Sequence, residues 1–264
     1  MDALLHSHLA FAIGGVIVIA GLAHGIVGFG FPMISTPVVA MMVDMKTAIL
    51  VTVLPNILVN LISILRGGKW YESLGKYWPM AIYVLIGTLL GTRILISADP
   101  EPLKLLLAVS IVLFLLQERI RRLDFSWISR YPKASGPLFG LMAGFLSGAV
   151  NVSVPPLVVY FMALGLAPIA MTQMLNLCFI AGKTTQLASL SASGHVDVAS
   201  FVLTVPLALL AAGALGLGMR MQRNLTQEAY KFLLRKALWI MVAILVGQVV
   251  FHYLRAWPRL TSLT

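Results

Sequence analysis

Two apolar stretches of this chain carry the same spaced pattern, A-G-x-x-x-G-x-V-x4-P, displaced by 123 residues without a gap. The first copy is Ala20, Gly21, Gly25, Val27 and Pro32; the second is Ala143, Gly144, Gly148, Val150 and Pro155. An even displacement of this kind points to an internal duplication. Glycines followed by a proline interrupt a helix, and irregular backbone at membrane depth is tolerated only where protein or a water-filled cavity surrounds it. Paired interruptions in corresponding halves are the best sequence pointer to a carrier's substrate site.

Composition fixes the solvent. Hydrophobic residues make up 59% of the 264, charged residues 11%, and mean hydropathy is +0.95, against about 25% charge in a soluble domain. A spanning helix needs about 20 apolar residues. Stretches near that length lie at 9–27, 48–65, 78–96, 103–116 with its flanks, 168–190, 201–219 and 232–251. Shorter apolar pieces at 32–43, 137–150 and 155–166 read as half-helices or re-entrant segments. The longest polar stretch, 117–135, has the length of a loop. The N-terminus, M-D-A-L-L-H-S-H, has no Lys or Arg for the basic region of a signal peptide. The single cysteine, Cys178, excludes an intrachain disulfide. A net charge of +10 invites a nucleic-acid reading, but the charges sit in loops beside spans, where membrane topology explains them.

Counting Lys and Arg separates two topologies. The loops 66–76, 119–133 and 220–236 hold three, five and five. Four plain crossings per half divide the loop charges 10 against 8 at best. If each broken segment instead returns to its own side, three full crossings remain per half and the division becomes 13 against 5. The positive-inside rule favours the second arrangement. Three is odd, so the two halves would be inverted. The expected fold is therefore an all-α polytopic membrane protein with two inverted repeats, each a broken or re-entrant helix hairpin plus three transmembrane helices. Its parts are a first repeat at 1–120, a cytoplasmic linker at 121–135 and a second repeat at 136–264, with a periplasmic N-terminus and a cytoplasmic 117–135 loop.

The first break reads G-I-V-G-F-G-F-P. Gly28 and Gly30 permit positive φ, and Phe31 and Pro32 open the next short helix, whose unpaired amides favour an anion. In the second break Asn151 and Ser153 replace glycines ahead of Pro155, offering side chains that cap a helix or bind a ligand. Gly21, Gly25, Gly144 and Gly148 read as close-packing positions. Thr52, Asn56 and Asn60 share one helix face. The corresponding span carries Thr172, Gln173, Asn176, Lys183, Thr184 and Gln186, of which Asn176, Lys183 and Thr184 read as neighbours on one face. Lys183 is the only Lys or Arg well inside a span, and all nine acids lie in loops or near span ends. A buried cation without a carboxylate fits a site whose counter-charge is the substrate; the competing expectation is that it snorkels to a surface. With no intramembrane acid, His24 is the one protonatable switch in a span, and a hydrogen-bonded structural histidine is the simpler reading.

These residues resemble the TauE/SafE sulfite-exporter family. The resemblance rests on the G-x-x-x-G-x-x-G-F-G-F-P segment, the Asn-bearing span after it, R-G-G-K-W, and in the second half Asn176 and S-G-H-V-D ending at Asp197. It implies a bacterial inner-membrane transporter of small anions, with sulfite and sulfonates as the usual associations. The second break departs from the pattern in lacking the glycines of the first. Lys183 rests on the bottom-up reading alone.

The function expected is a transporter, and specifically an exporter, of a small oxyanion such as sulfite or an organosulfonate. The substrate-binding set is Gly28, Gly30, Phe31, Pro32, Asn56, Asn60, Asn151, Ser153, Pro155, Asn176 and Lys183. No catalytic residue, metal or cofactor is expected. An embedded enzyme would need clustered His, Asp, Glu or Cys at membrane depth, whereas the five histidines are scattered. A scaffold without transport activity and a carrier of a short carboxylate are the alternatives. The partners are the anion and the bilayer, with no nucleic acid; a homodimer is left open.

Overall fold

The computed structural model describes residues 7–66, 68, 70–120, 124–196, 201–222, 235–236, 238–240 and 242–251. Among them every regular element is a helix: α1 Ser7–Val27, α2 Phe31–Met42, α3 Met45–Ile64, α4 Trp70–Tyr77, α5 Pro79–Ser97, α6 Pro100–Leu115, α7 Gln117–Ile120, α8 Ser126–Arg130, α9 Pro132–Val150, α10 Val154–Ala163, α11 Pro168–Ala192 and α12 Val205–Met221. Helical residues also lie within 238–251. Prolines mark many of the starts: α2, α5, α6, α9, α10, α11 and α12 each have one at their first or second position. There a missing N–H costs nothing and φ is already helical. Asp44 caps α3 by accepting from the Thr47 amide at 3.0 Å. Burial pushes this carboxyl's pKa up, but the Thr47 hydrogen bonds outweigh it and hold it below its ordinary value.

Shifted by 123, the end of α1 falls on the end of α9, and the starts of α2 and α3 on those of α10 and α11. Packing follows the same duplication. The first helix of each half packs against a later helix of the other half, α1 on α12 and α9 on α5, while α3 and α11 pack on each other. α12 also packs on α3 as α5 does on α11. Glycines permit these approaches: a Cβ on Gly87, Gly91, Gly144 or Gly148 would overlap backbone across the α5–α9 contact, and one on Gly21, Gly25 or Gly218 would do so across α1–α12. In both contacts residue numbers rise together, Gly21 and Gly25 meeting Ala211 and Leu215, and Gly87 and Gly91 meeting Leu141 and Phe145. Those pairs run parallel.

Two expectations need correction. The 137–150 piece is not a short half-helix: α9 runs unbroken from Pro132 through Pro137 to Val150, 19 residues in all. A proline near a helix start forfeits one backbone bond, and packing on α5 carries the rest. Its first turn therefore lies inside the stretch read as a linker, where buried Ser135 donates to the Ile128 and Tyr131 carbonyls. Second, among the described residues three helices are long and apolar enough to cross a membrane, His8–Val27, Met45–Ile64 and Pro79–Ser97. α6 and α12, which lie over the stretches read at 103–116 and 201–219, have 16 and 17 residues and fall short of that length.

Candidate functional site

The first break, 28–30, joins α1 to α2 through two left-handed residues, Gly28 at φ 92 and Gly30 at φ 105. A Cβ there costs about 1–2 kcal/mol, and one on Gly28 would also press on the Thr172 methyl at 2.8 Å. His24, fully buried, spans this break. Its Nδ1 accepts from the Phe31 amide at 3.3 Å and its Nε2 faces Ser63 Oγ at 3.0 Å. A neutral ring protonated at Nε2 satisfies both contacts.

The second break, 151–153, joins α9 to α10. Asn151 is the counterpart of Gly28 under the 123-residue shift and is the only non-glycine among the described residues with positive φ, at 64. Asparagine is the usual substitute for glycine at such a helix end. Its amide donates to Ser147 O, and the next amide reaches back to Leu146 O. Ser153, buried at the start of α10, makes no capping bond.

Lys183 is 1% exposed and does not reach a surface. Its ammonium donates to Ser147 O at 3.1 Å, to Gln186 Oε1 at 2.9 Å, and to Asn151 Oδ1. Three N–H donors thus have three neutral acceptors, and the charge rests on the carbonyl end of α9, where a cation is favoured. Gln186 completes that end by donating to Ser147 O and Gly148 O. Arg66, half-buried just beyond α3, does the same for α1, its Nη1 donating to Gly25 O at 2.8 Å. Burial draws the Arg66 guanidinium below its ordinary pKa.

The halves brace each other's breaks. Asn176 of α11 donates to Gly28 O at 2.8 Å. Asn151 donates to Thr36 of α2 at 2.6 Å and to Thr52 of α3 at 3.4 Å. Along α3 the first break abuts Ser63 and Arg66, whereas the second abuts Thr52. Eleven residues of helix rise roughly 16 Å, so the breaks are staggered in depth and do not meet at one level. Between those levels α3 and α11 pack together, with Asn56 and Asn60 buried on α3 and Asn176 on α11. Asn60 donates to the Asn56 carbonyl at 2.7 Å and to its Oδ1. This seam is incompletely satisfied: Asn56 Nδ2, Asn60 Oδ1 and Asn176 Oδ1 are buried without a hydrogen-bond partner. An unmade bond on a buried polar atom costs about 1–3 kcal/mol, so a polar guest is favoured here.

At the breaks, Phe31 N–H is taken by His24 and Met33 N–H by Gly30 O, while Pro32, Pro155 and Pro156 have none. Side chains, Asn56 Nδ2 among them, add open donor capacity. Thr184 does not join them; it is exposed and bonded to its own helix. A step of eight residues turns 80° past two full turns, enough to carry it off the Asn176 face. The nearby pocket lined by Val27, Phe29, Gly30, Met33 and Phe114 is apolar and offers an anion little. Sequence reasoning placed Arg66 among loop charges and passed over Thr36; neither carries a local signal beyond its residue type. Asp197, Lys69 and residues 223–234 lie outside the described residues.

A family model described as sulfite exporter TauE/SafE matches residues 13–249. No curated relative and no solved structure shows a significant match.

Proposed function

The chain belongs to the sulfite exporter TauE/SafE family, and from that premise we propose that it carries a small oxyanion, sulfite or an organosulfonate, out of the cell across the bacterial inner membrane. The observation that carries the reading is the polar seam between the two staggered breaks. It holds a fully buried lysine with no acid beside it among the described residues, and three polar atoms without partners. In this reading the anion lies near mid-membrane between Asn56, Asn60 and Asn176. Asn56 Nδ2 donates to it, and Lys183 holds Asn151 in place and supplies positive potential. Its attraction needs no direct contact, because charge interactions are weakly screened in a buried site. Gly28, Gly30, Phe31, Pro32, Ser153 and Pro155 shape the two breaks.

The inverted arrangement belongs to the same proposal. Gln173 at the start of α11 donates to the Arg66 and Gly68 carbonyls beyond the end of α3, which supports opposite directions for these counterparts. A cytoplasmic 66–76 loop then puts the start of α11 and the 117–135 segment on the same face, with the N-terminus periplasmic. A cell interior negative by 100 mV contributes about 2.3 kcal/mol per negative charge to outward movement, so export needs no carboxylate relay.

Binding is tested by following the melting of the purified protein with sulfite, methanesulfonate, acetate or chloride at matched ionic strength. A ligand at a hundred times its Kd stabilises by about 2.7 kcal/mol. Sulfite or methanesulfonate is expected to raise Tm with concentration more than acetate does, and chloride to leave it near the salt baseline. Four superimposable titrations would contradict the proposal.

A further inference from the structure

At the mouth of the seam stands a cation that the binding set leaves out. Arg66 follows the last turn of α3, whose buried face carries Thr52, Asn56, Asn60 and Ser63. It touches the first break directly: Nη1 donates to Gly25 O, and a Cβ on Gly28 would lie 3.7 Å from the same nitrogen. Two bonds from Gln173 hold the backbone around it, at Arg66 O and Gly68 O. Among the described residues no carboxylate pairs with it. A guanidinium has five N–H donors in a planar fork, and the contact with Gly25 engages one nitrogen. Arg66 is half-buried next to Gly28, and no anionic partner is seen for it among the described residues. The duplication gives no counterpart, since the position 123 residues on is Ser189. The charge on Lys183 is likewise unmatched, its counterpart being Asn60. The two halves thus carry single cations at different depths, one at the first break and one at the second.

We propose that Arg66 is a substrate-contacting residue, the capture point at which an oxyanion with two accessible oxygens first binds before passing along the Asn60–Asn56 seam toward the level of Lys183. The inference rests on the transport reading and deepens it by adding a residue and a selectivity. A planar fork matches two oxygens of a sulfonyl or carboxyl group and gives chloride only a single contact. Arg66 therefore sets apparent affinity and the preference for oxyanions, and Lys183 governs passage.

The test compares wild type, R66K, R66Q and, as a control at the half-buried Glu101 pair away from the seam, K104Q, in proteoliposomes loaded with sulfite. R66Q is expected to raise KM for sulfite about tenfold or more with the maximal rate within about threefold. R66K keeps a donor for Gly25 O but loses the fork, and should fall between R66Q and wild type. K104Q should match wild type. A residue that merely capped α1 would lower Tm and maximal rate together and leave KM alone; that pattern, or an unchanged KM in folded R66Q, overturns the proposal. Sulfite-dependent melting is measured in parallel. If wild type shows no flux, the transport reading fails, and loss of sulfite stabilisation in R66Q against its retention in R66K still decides the role of Arg66.

Discussion

Asn151 performs at one position two tasks that the first half divides among several residues. Its backbone takes the left-handed turn that Gly28 takes in the other half, and its side chain ties Lys183 to Thr36 and Thr52. Replacing it separates the tasks. Asn151→Gly and Asn151→Ala both lose the side-chain bonds, but only alanine carries a Cβ into the left-handed region. Asn151→Ala should therefore be less stable than Asn151→Gly by about 1 kcal/mol, read as the lower Tm of the two purified variants. The reverse order would mean that the turn relaxes when the side chain is lost. Part of this was legible: an Asn where the other copy has Gly, and a lysine with no acid in any span. The acceptors around Lys183 were not. Which carbonyl a long side chain finds depends on how α9 ends against α11, and no local pattern encodes that.

Element boundaries were the most legible part of the fold, because proline starts and apolar runs are local signals. Residues 32–43, 48–65, 78–96 and 168–190 each lie within three residues of an observed helix at both ends. The failures have local causes as well. Pro137 reads as the start of a short piece, although a helix already begun at Pro132 absorbs it, and Thr184 was counted on a face that its angular step leaves. Partner choice was illegible: Gly144 and Gly148 announce a close neighbour without saying that it is α5. That contact is directly testable. A Cβ on Gly91 would overlap Phe145 O and lie 2.8 Å from Ala149 N. Gly91→Ala should cost about 1–3 kcal/mol, as overpacking does, and lower the yield of folded protein. Gly15→Ala, in α1 with nothing within 4 Å of the new methyl, should be neutral or stabilising by up to about 1 kcal/mol, since alanine is the better helix former. Equal behaviour of the two variants would contradict the packing account.

At the scale of the whole molecule, the reciprocal pairing of α1 with α12 and α9 with α5 surrounds the central α3–α11 pair, and the proposed path follows that pair. Loop charge suggested the arrangement, since all three Lys- and Arg-rich loops fall on one face only when each half has an odd number of full crossings. The stagger of the breaks could not be anticipated, because a repeated motif says nothing about the relative depth of its two copies. It leaves two cation-bearing levels joined by asparagines. The central claim is that a small oxyanion crosses through this seam under the influence of the buried Lys183. Sulfite efflux from proteoliposomes, under a potential that favours outward movement, compares wild type directly with Lys183→Met at equal amounts of folded protein. The account predicts rapid efflux through wild type and a loss of about a hundredfold or more in the variant, with its Tm within a few degrees of wild type. Equal efflux through both proteins would contradict it.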